Sequence, residues 1–134
     1  MQGSADLGKL VLRITLGVLI LFHGVSKLIH GPGYVLGVVT GAGLPSFVAY
    51  GAYVGEVVAP LLLLVGYWTR VGALIIVVNM LFAIGLVHMG QLATLADTGG
   101  WALELQGMFL GTALAIMLLG AGRYSFGGSN GRWN

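Results

Sequence analysis

Three side chains of different chemistry stand inside apolar stretches of this sequence. His23 and Lys27 lie near the end of LVLRITLGVLILFHGVSKL (Leu10 to Leu28), and Glu56 lies in the middle of a second run. An imidazole and an ammonium can donate hydrogen bonds to a ligand oxygen, and a carboxylate can take up and release a proton, so the three suit proton-coupled chemistry. Tyr53 shares the face of Glu56 at a spacing of three, and Pro60 follows on that face without an N–H to return to the Glu56 carbonyl. A free backbone acceptor beside a carboxylate could hold a proton, a water or a cation. His88, Glu104 and Arg13 complete the polar set that could line a site with them. A charged group at mid-span costs on the order of 3 kcal/mol, so each needs a partner or a wet cavity.

Plainer explanations stand beside these. Glu56 could form a structural ion pair with Arg13 or Lys27, and Lys27 and Glu104 could be interfacial anchors, with the lysine snorkelling to water. Asn79 most simply bonds between helices. Asn79 and His88 are nine residues apart, on opposite faces of a regular helix, so they meet at one site only if that helix is distorted. His23 and His88 are the one pair that could ligate a b-type haem, but no spacing motif supports them, and haem is disfavoured. No spacing suggests a metal site. Tyr50, Tyr53, Trp68 and Trp101 fit an interfacial aromatic belt.

Four apolar spans would position these groups: about 8–28, 46–67, 71–90 and 101–120, in a single membrane domain over 1–134 with a tail from 121. Residues 1–7 read as a short polar start. The first span is roughly 28 Å long over its apolar nineteen residues, close to the ~30 Å of a hydrocarbon core. Between the first two spans, Gly31, Pro32, Gly33, Gly41, Gly43 and Pro45 punctuate a connection whose apolar middle, Tyr34 to Thr40, suits a short interfacial helix or a re-entrant segment. Gly51 with Gly55, and Gly107 with Gly111, form GxxxG pairs that predict close helix packing, within the chain or between copies. Four spans put both termini on one side. Lys9, Arg13, Arg70, Arg123 and Arg132 gather there, against Lys27, Asp97 and Glu104 opposite, which predicts cytoplasmic termini in a multi-pass protein of the inner (plasma) membrane.

Composition excludes several classes. Of 134 residues, 57% are hydrophobic and only 7% charged, with a mean hydropathy of +0.97, which is incompatible with an ordinary soluble domain at about 25% charged. The net charge of +2 comes without a Lys/Arg-rich run, so there is no nucleic-acid stripe. The absence of cysteine removes disulfides, thiol nucleophiles and Cys-ligated clusters from the chain. The 24 glycines, many inside apolar segments, point to close helix approach.

LRITLGVLILFHGVSKL, the mid-span Glu56, LLLLVGYWTRVGALIIVVNML, the GGW before Glu104 and the LLGAGRYS ending at Ser125 together resemble the DoxX family of small four-helix membrane proteins. The resemblance runs from about Lys9 to Phe126. It rests on the Arg13/Gly17/Gly24/Lys27 pattern, on Gly66 and Arg70, and on the terminal G-x-G-R-x-S. It implies an all-α, integral membrane four-helix bundle associated with quinone- or thiol-linked redox complexes, including the membrane subunit of thiosulfate:quinone oxidoreductases. Arg13, His23, Lys27, Glu56, Arg70 and Glu104 are the polar residues it carries over by position. The expectation is a subunit without its own redox centre that binds quinone, with Glu56, Lys27 and His23 acting and Tyr53, His88, Glu104 and Arg13 binding. It would sit in a lipid bilayer beside a redox or membrane-complex protein partner, with a homo-oligomer open. The alternatives are a non-catalytic assembly or scaffolding subunit, or a small transporter using Glu56.

Overall fold

Glycine and proline divide the chain into five helices, and the computed structural model describes all of them within residues 1–134. They are α1 (Gln2–His30), α2 (Gly33–Gly41), α3 (Ser46–Val65), α4 (Thr69–Gln91) and α5 (Glu104–Leu119). There are no strands, only an isolated bridge between Leu95 and Trp101 in the α4–α5 loop. α3 and α4 are long and apolar enough to cross a membrane, with mean hydropathies of 1.8 and 2.4.

Several expected boundaries move. The polar start is helical from Gln2, so α1 runs 29 residues as one piece. Asp6 meets Lys9 one turn on, and Arg123 of the C-terminal segment also reaches it, at 3.8 Å. The connection after α1 does contain a helix, α2. α3 stops at Val65, where Gly66 takes the left-handed conformation (φ 75°) and returns its N–H to Leu62 O, a C-terminal stop that a Cβ would strain. The last helix begins at Glu104 and not at Trp101, because the chain before it folds into a tight turn. Ala102 N–H donates to Thr94 O there, and the Trp101 indole donates to Leu92 O.

Neither of the two apolar spans is a uniform α-helix. α3 opens with a 3₁₀ turn at Ser46–Tyr50 and carries a π segment at Val54–Val58, immediately before Pro60. Pro60 has no N–H to close the regular ladder, and the ladder widens where that bond is missing. α4 carries a second π segment at Ile84–His88.

α1 packs on α3 and α5, α3 on α4, and α4 on α5. Their shared core is Leu16 and Ile20 of α1, Ala59 and Leu63 of α3, Ala73, Ile76, Val77 and Met80 of α4, and Phe109, Ala113 and Ile116 of α5. Outward faces are equally apolar: Val18 and Phe22, Val58 and Leu61, Leu74 and Val78, and Leu118 are all exposed. α1 and α3 touch backbone to backbone at Gly24, where a Cβ would overlap the Glu56 carbonyl. That is the carbonyl Pro60 leaves free, so the kinked part of α3 is also where α1 comes closest. The GxxxG pairs do not work as pairs inside the chain. Gly55 lies against the Asn79 side chain and Gly107 against the Trp101 ring, while Gly51 and Gly111 face open space.

The C-terminal segment, 120–134, has no regular structure and is fastened by backbone bonds. Phe126 and Gly127 N–H groups donate to Val65 and Gly66 carbonyls, and Arg70 N–H donates to Trp133 O. Asn134 Oδ1 accepts from both the N–H and the hydroxyl of Thr69, the first residue of α4. Start and end of the chain therefore meet at one end of the helices.

Candidate functional site

At the other end lies a cavity of about 630 Å³, to which all five helices contribute. Seventeen of its 24 lining residues are hydrophobic. Its polar lining is His23 and Lys27 from α1, Tyr34 from α2, Glu56 from α3, Asn79 and His88 from α4, and Gln106 from α5, and it includes four of the site residues expected from sequence, His23, Lys27, Glu56 and His88.

Lys27 and Glu56 form the one close ion pair on this wall. Nζ lies 2.6 Å from Oε2, with the lysine side chain a quarter exposed and the glutamate side chain 11% exposed. The contact is short but off the direction of a hydrogen bond, so Oε2 is buried with no hydrogen-bond partner. A charge held in an apolar wall without hydrogen bonds is costly unless its neighbourhood is completed by another group. Tyr53 supports the pair from behind, since its hydroxyl donates to the Lys27 carbonyl at 3.1 Å and ties the end of α1 to α3. Its ring stacks on Tyr50 and does not line the cavity.

The distortion that Asn79 and His88 require is present. Nine residues of regular helix would turn them about 180° apart, and a π segment takes up about one residue, or ~100°, of that rotation. With Ile84–His88 in π geometry, both side chains reach the cavity. His88 is engaged at both nitrogens, with Nδ1 2.9 Å from Gln91 Oε1 and Nε2 3.4 Å from Gln106 Nε2. An amide NH₂ can only donate, so this arrangement assigns His88 the neutral tautomer with its proton on Nδ1. His23 is exposed along one side of the cavity and sits edge-on to Phe109, with ring centroids 5.9 Å apart.

Glu104 and Arg13 are not brought to this place. Glu104 is exposed at the start of α5, with its carboxylate folded over Gly100. Arg13 is 1% exposed and lies at the end where the termini meet. Its Nε donates to Leu63 O, its Nη1 to Ala121 O and Tyr124 O, each at 2.9 Å, and its Nη2 to Leu64 O at 3.4 Å. Leu63 and Leu64 end α3, where helix carbonyls lack internal partners, so Arg13 caps that helix from α1. Arg70 does the same for α5 by donating to Met117 O and Leu118 O.

Sequence reasoning did not select Gln106, Tyr34 or Phe109 for the site. Gln106 carried a usable signal, being one of few amides next to an apolar span and two residues past Glu104. Phe109 and Tyr34 carried none, because an aromatic residue in such a chain reads first as core or interface. No three histidine or acidic side chains gather in one place.

An all-helical chain with two membrane-length apolar helices and a polar-lined cavity at one end is the class that fold and site define. Residues 8–89 match the sequence profile of the DoxX family, and the chain belongs to that family. It is also 33% identical over 87 residues to a protein of Bacillus subtilis (strain 168) named "Putative oxidoreductase CatD". That match covers 65% of this chain and 60% of the relative's length. No solved structure matches the chain.

Proposed function

We propose that this chain is the membrane subunit of a quinone-linked oxidoreductase system and that the cavity holds a quinone ring. The observation that carries the reading is the Lys27–Glu56 pair on the wall of an otherwise apolar cavity of about 630 Å³. A quinone needs an apolar slot, donors for its carbonyl oxygens and an acceptor for the protons of its reduced form. When bound, it supplies a two-electron, two-proton couple. Lys27 and His23 donate to ring oxygens, Asn79 and Gln106 orient the ring from α4 and α5, and the Glu56 carboxylate takes up and passes on a proton. With no cysteine to hold a thiol or an iron–sulfur cluster, the chain receives or delivers electrons through a partner protein. Membership of the DoxX family and the name of the CatD relative agree with a redox-associated role.

The four long helices, in this reading, form a four-helix bundle across the inner (plasma) membrane with both termini in the cytoplasm. The exposed apolar faces of the helices support it, as does the excess of Lys9, Arg13, Arg70, Arg123 and Arg132 at the end where the termini meet.

The test is quinone binding to the purified chain in nanodiscs, comparing wild type with Lys27→Met and Glu56→Gln after circular dichroism and gel filtration show that both variants are folded. Saturable binding by wild type that weakens at least about tenfold in Lys27→Met is expected, because that variant loses the charged donor to a ring oxygen, whereas Glu56→Gln, which removes only an acceptor that a quinone carbonyl does not use, should keep it. Absence of saturable binding by wild type refutes the cavity as a quinone site.

A further inference from the structure

We infer that this cavity selects the reduced, hydroxyl-bearing form of its ring ligand, a 1,4-hydroquinone, over the corresponding quinone. The inference rests on the quinone-site reading above and deepens it by assigning the redox state that the site prefers.

The decisive group is the Glu56 carboxylate. It belongs to a cavity-lining residue 8% exposed, touches the Lys27 ammonium at 2.6 Å through its buried oxygen Oε2, and accepts no hydrogen bond from the protein. An ionised carboxylate only accepts. A quinone carbonyl also only accepts, so placing one against Glu56 would set lone pair against lone pair and leave the carboxylate without a donor. A hydroquinone hydroxyl donates, and satisfies it. Hydrogen bonds to ionised oxygens are about twice as strong as neutral ones, so this single contact weighs heavily in a dry wall.

The remaining polar groups do not reverse the preference. Lys27 could donate to either form, but it is a quarter exposed and already pulled to Glu56. His88 has both nitrogens occupied by Gln91 and Gln106, which leaves it no site for the ring. Asn79 presents an amide with one donor end and one acceptor end, so it serves the second ring oxygen in either redox state. The His23 imidazole, the Tyr34 hydroxyl and the Gln106 amide can likewise meet either form, so discrimination between the two falls to Glu56.

The consequence is electrochemical as well as structural. A site that binds the diol tenfold more tightly than the dione raises the potential of the bound two-electron couple by about 30 mV. The protein would hold its ligand reduced until a partner withdraws the electrons.

The test uses three ligands of one size with the full chain in nanodiscs, under anaerobic conditions and with empty nanodiscs as the partition blank. They are a decyl-substituted 1,4-hydroquinone, the matching 1,4-benzoquinone and the dimethyl ether of the hydroquinone. The hydroquinone is expected to bind at least about tenfold more tightly than the other two, which resemble each other because neither can donate. In Glu56→Gln, whose amide can donate as well as accept, the gap should shrink to threefold or less. The wild-type ranking needs no variant, so a poorly folded Glu56→Gln leaves the test intact. Equal affinities, or tighter binding of the quinone, overturn this inference while leaving the quinone site standing. A dimethyl ether that binds as well as the hydroquinone overturns it too, because the gain would then be shape and not donation. Failure of all three to bind overturns both.

Discussion

Replacing Arg13 with methionine should destabilise the protein by about 3–5 kcal/mol while leaving the cavity at the other end intact. The side chain is 1% exposed, and four of its five N–H donors are given to backbone carbonyls, those of Leu63, Leu64, Ala121 and Tyr124. Methionine fills similar volume but donates nothing. A buried carbonyl stripped of its partner costs about 1–3 kcal/mol, and four at the lower end of that range give about 4. The last turn of α3, where Leu63 and Leu64 lie, also loses the positive charge that complements the helix terminus, a further ~0.3–1 kcal/mol. Arg13→Lys keeps the charge and reaches one or two of the four oxygens, so it should lose roughly half as much. The assay is thermal unfolding in detergent followed by circular dichroism, with ligand binding measured below the transition. A midpoint lowered on the order of 10 °C in Arg13→Met is expected, with the lysine variant between it and wild type. An Arg13→Met midpoint within 2 °C of wild type, or a lysine variant no better than methionine, would refute the view of Arg13 as a cap for carbonyls.

Other expectations follow from contacts elsewhere in the helices. Gly24→Ala should cost about 1–3 kcal/mol and weaken binding at the cavity, because the new Cβ overlaps the Glu56 carbonyl and forces α1 away from α3; a thermal midpoint equal to wild type contradicts the close approach. Lys27→Met should destabilise by more than the Lys27→Met/Glu56→Gln double variant, since the single change strands a buried carboxylate; thermal midpoints of all four proteins give the coupling, and simple additivity would count against the pair. The two ligand experiments above, loss of quinone affinity in Lys27→Met and preference for the hydroquinone, complete the set.

The helices were legible because apolar run length and Gly/Pro punctuation are local properties. The α2 segment appears within the connection between Pro32 and Pro45, as its apolar middle suggests, and α3 ends at Val65, two residues short of the expected 67. The boundary at Trp101 was not legible, because the turn before α5 depends on the indole finding Leu92 O nine residues back. Partner choice was open for the same reason. Arg13 and Lys27 were both candidates for pairing with Glu56, and only their depth along α1 decides it. Fourteen residues of helix, about 21 Å, separate Arg13 from Lys27, so one carboxylate cannot serve both. The glycine pattern misled in an instructive way: the GxxxG pairs are conspicuous, yet the tightest approach is at Gly24, whose partner is a backbone oxygen on another helix. Asn79 and His88 could be joined only through a π segment, and nothing in IGLVH announces one.

The two ends of this protein treat polar groups in opposite ways, and that difference separates structure from chemistry. Where the termini meet, Arg13, Arg70 and Asn134 each make two or more hydrogen bonds, mostly to backbone, and no buried side-chain polar atom there is left without a partner. Such groups hold helix ends together and have nothing free to offer a ligand. At the cavity end, Glu56 is held by one off-axis contact to Lys27 and keeps a buried oxygen without a hydrogen bond. It also sits in a π segment whose freed carbonyl lies against Gly24 of α1. A carboxylate that served only to lock helices would gain more from the saturated geometry that Arg13 achieves in the same fold. Its incompleteness, beside an apolar cavity that a ring can fill, is the reason to place the chemistry there.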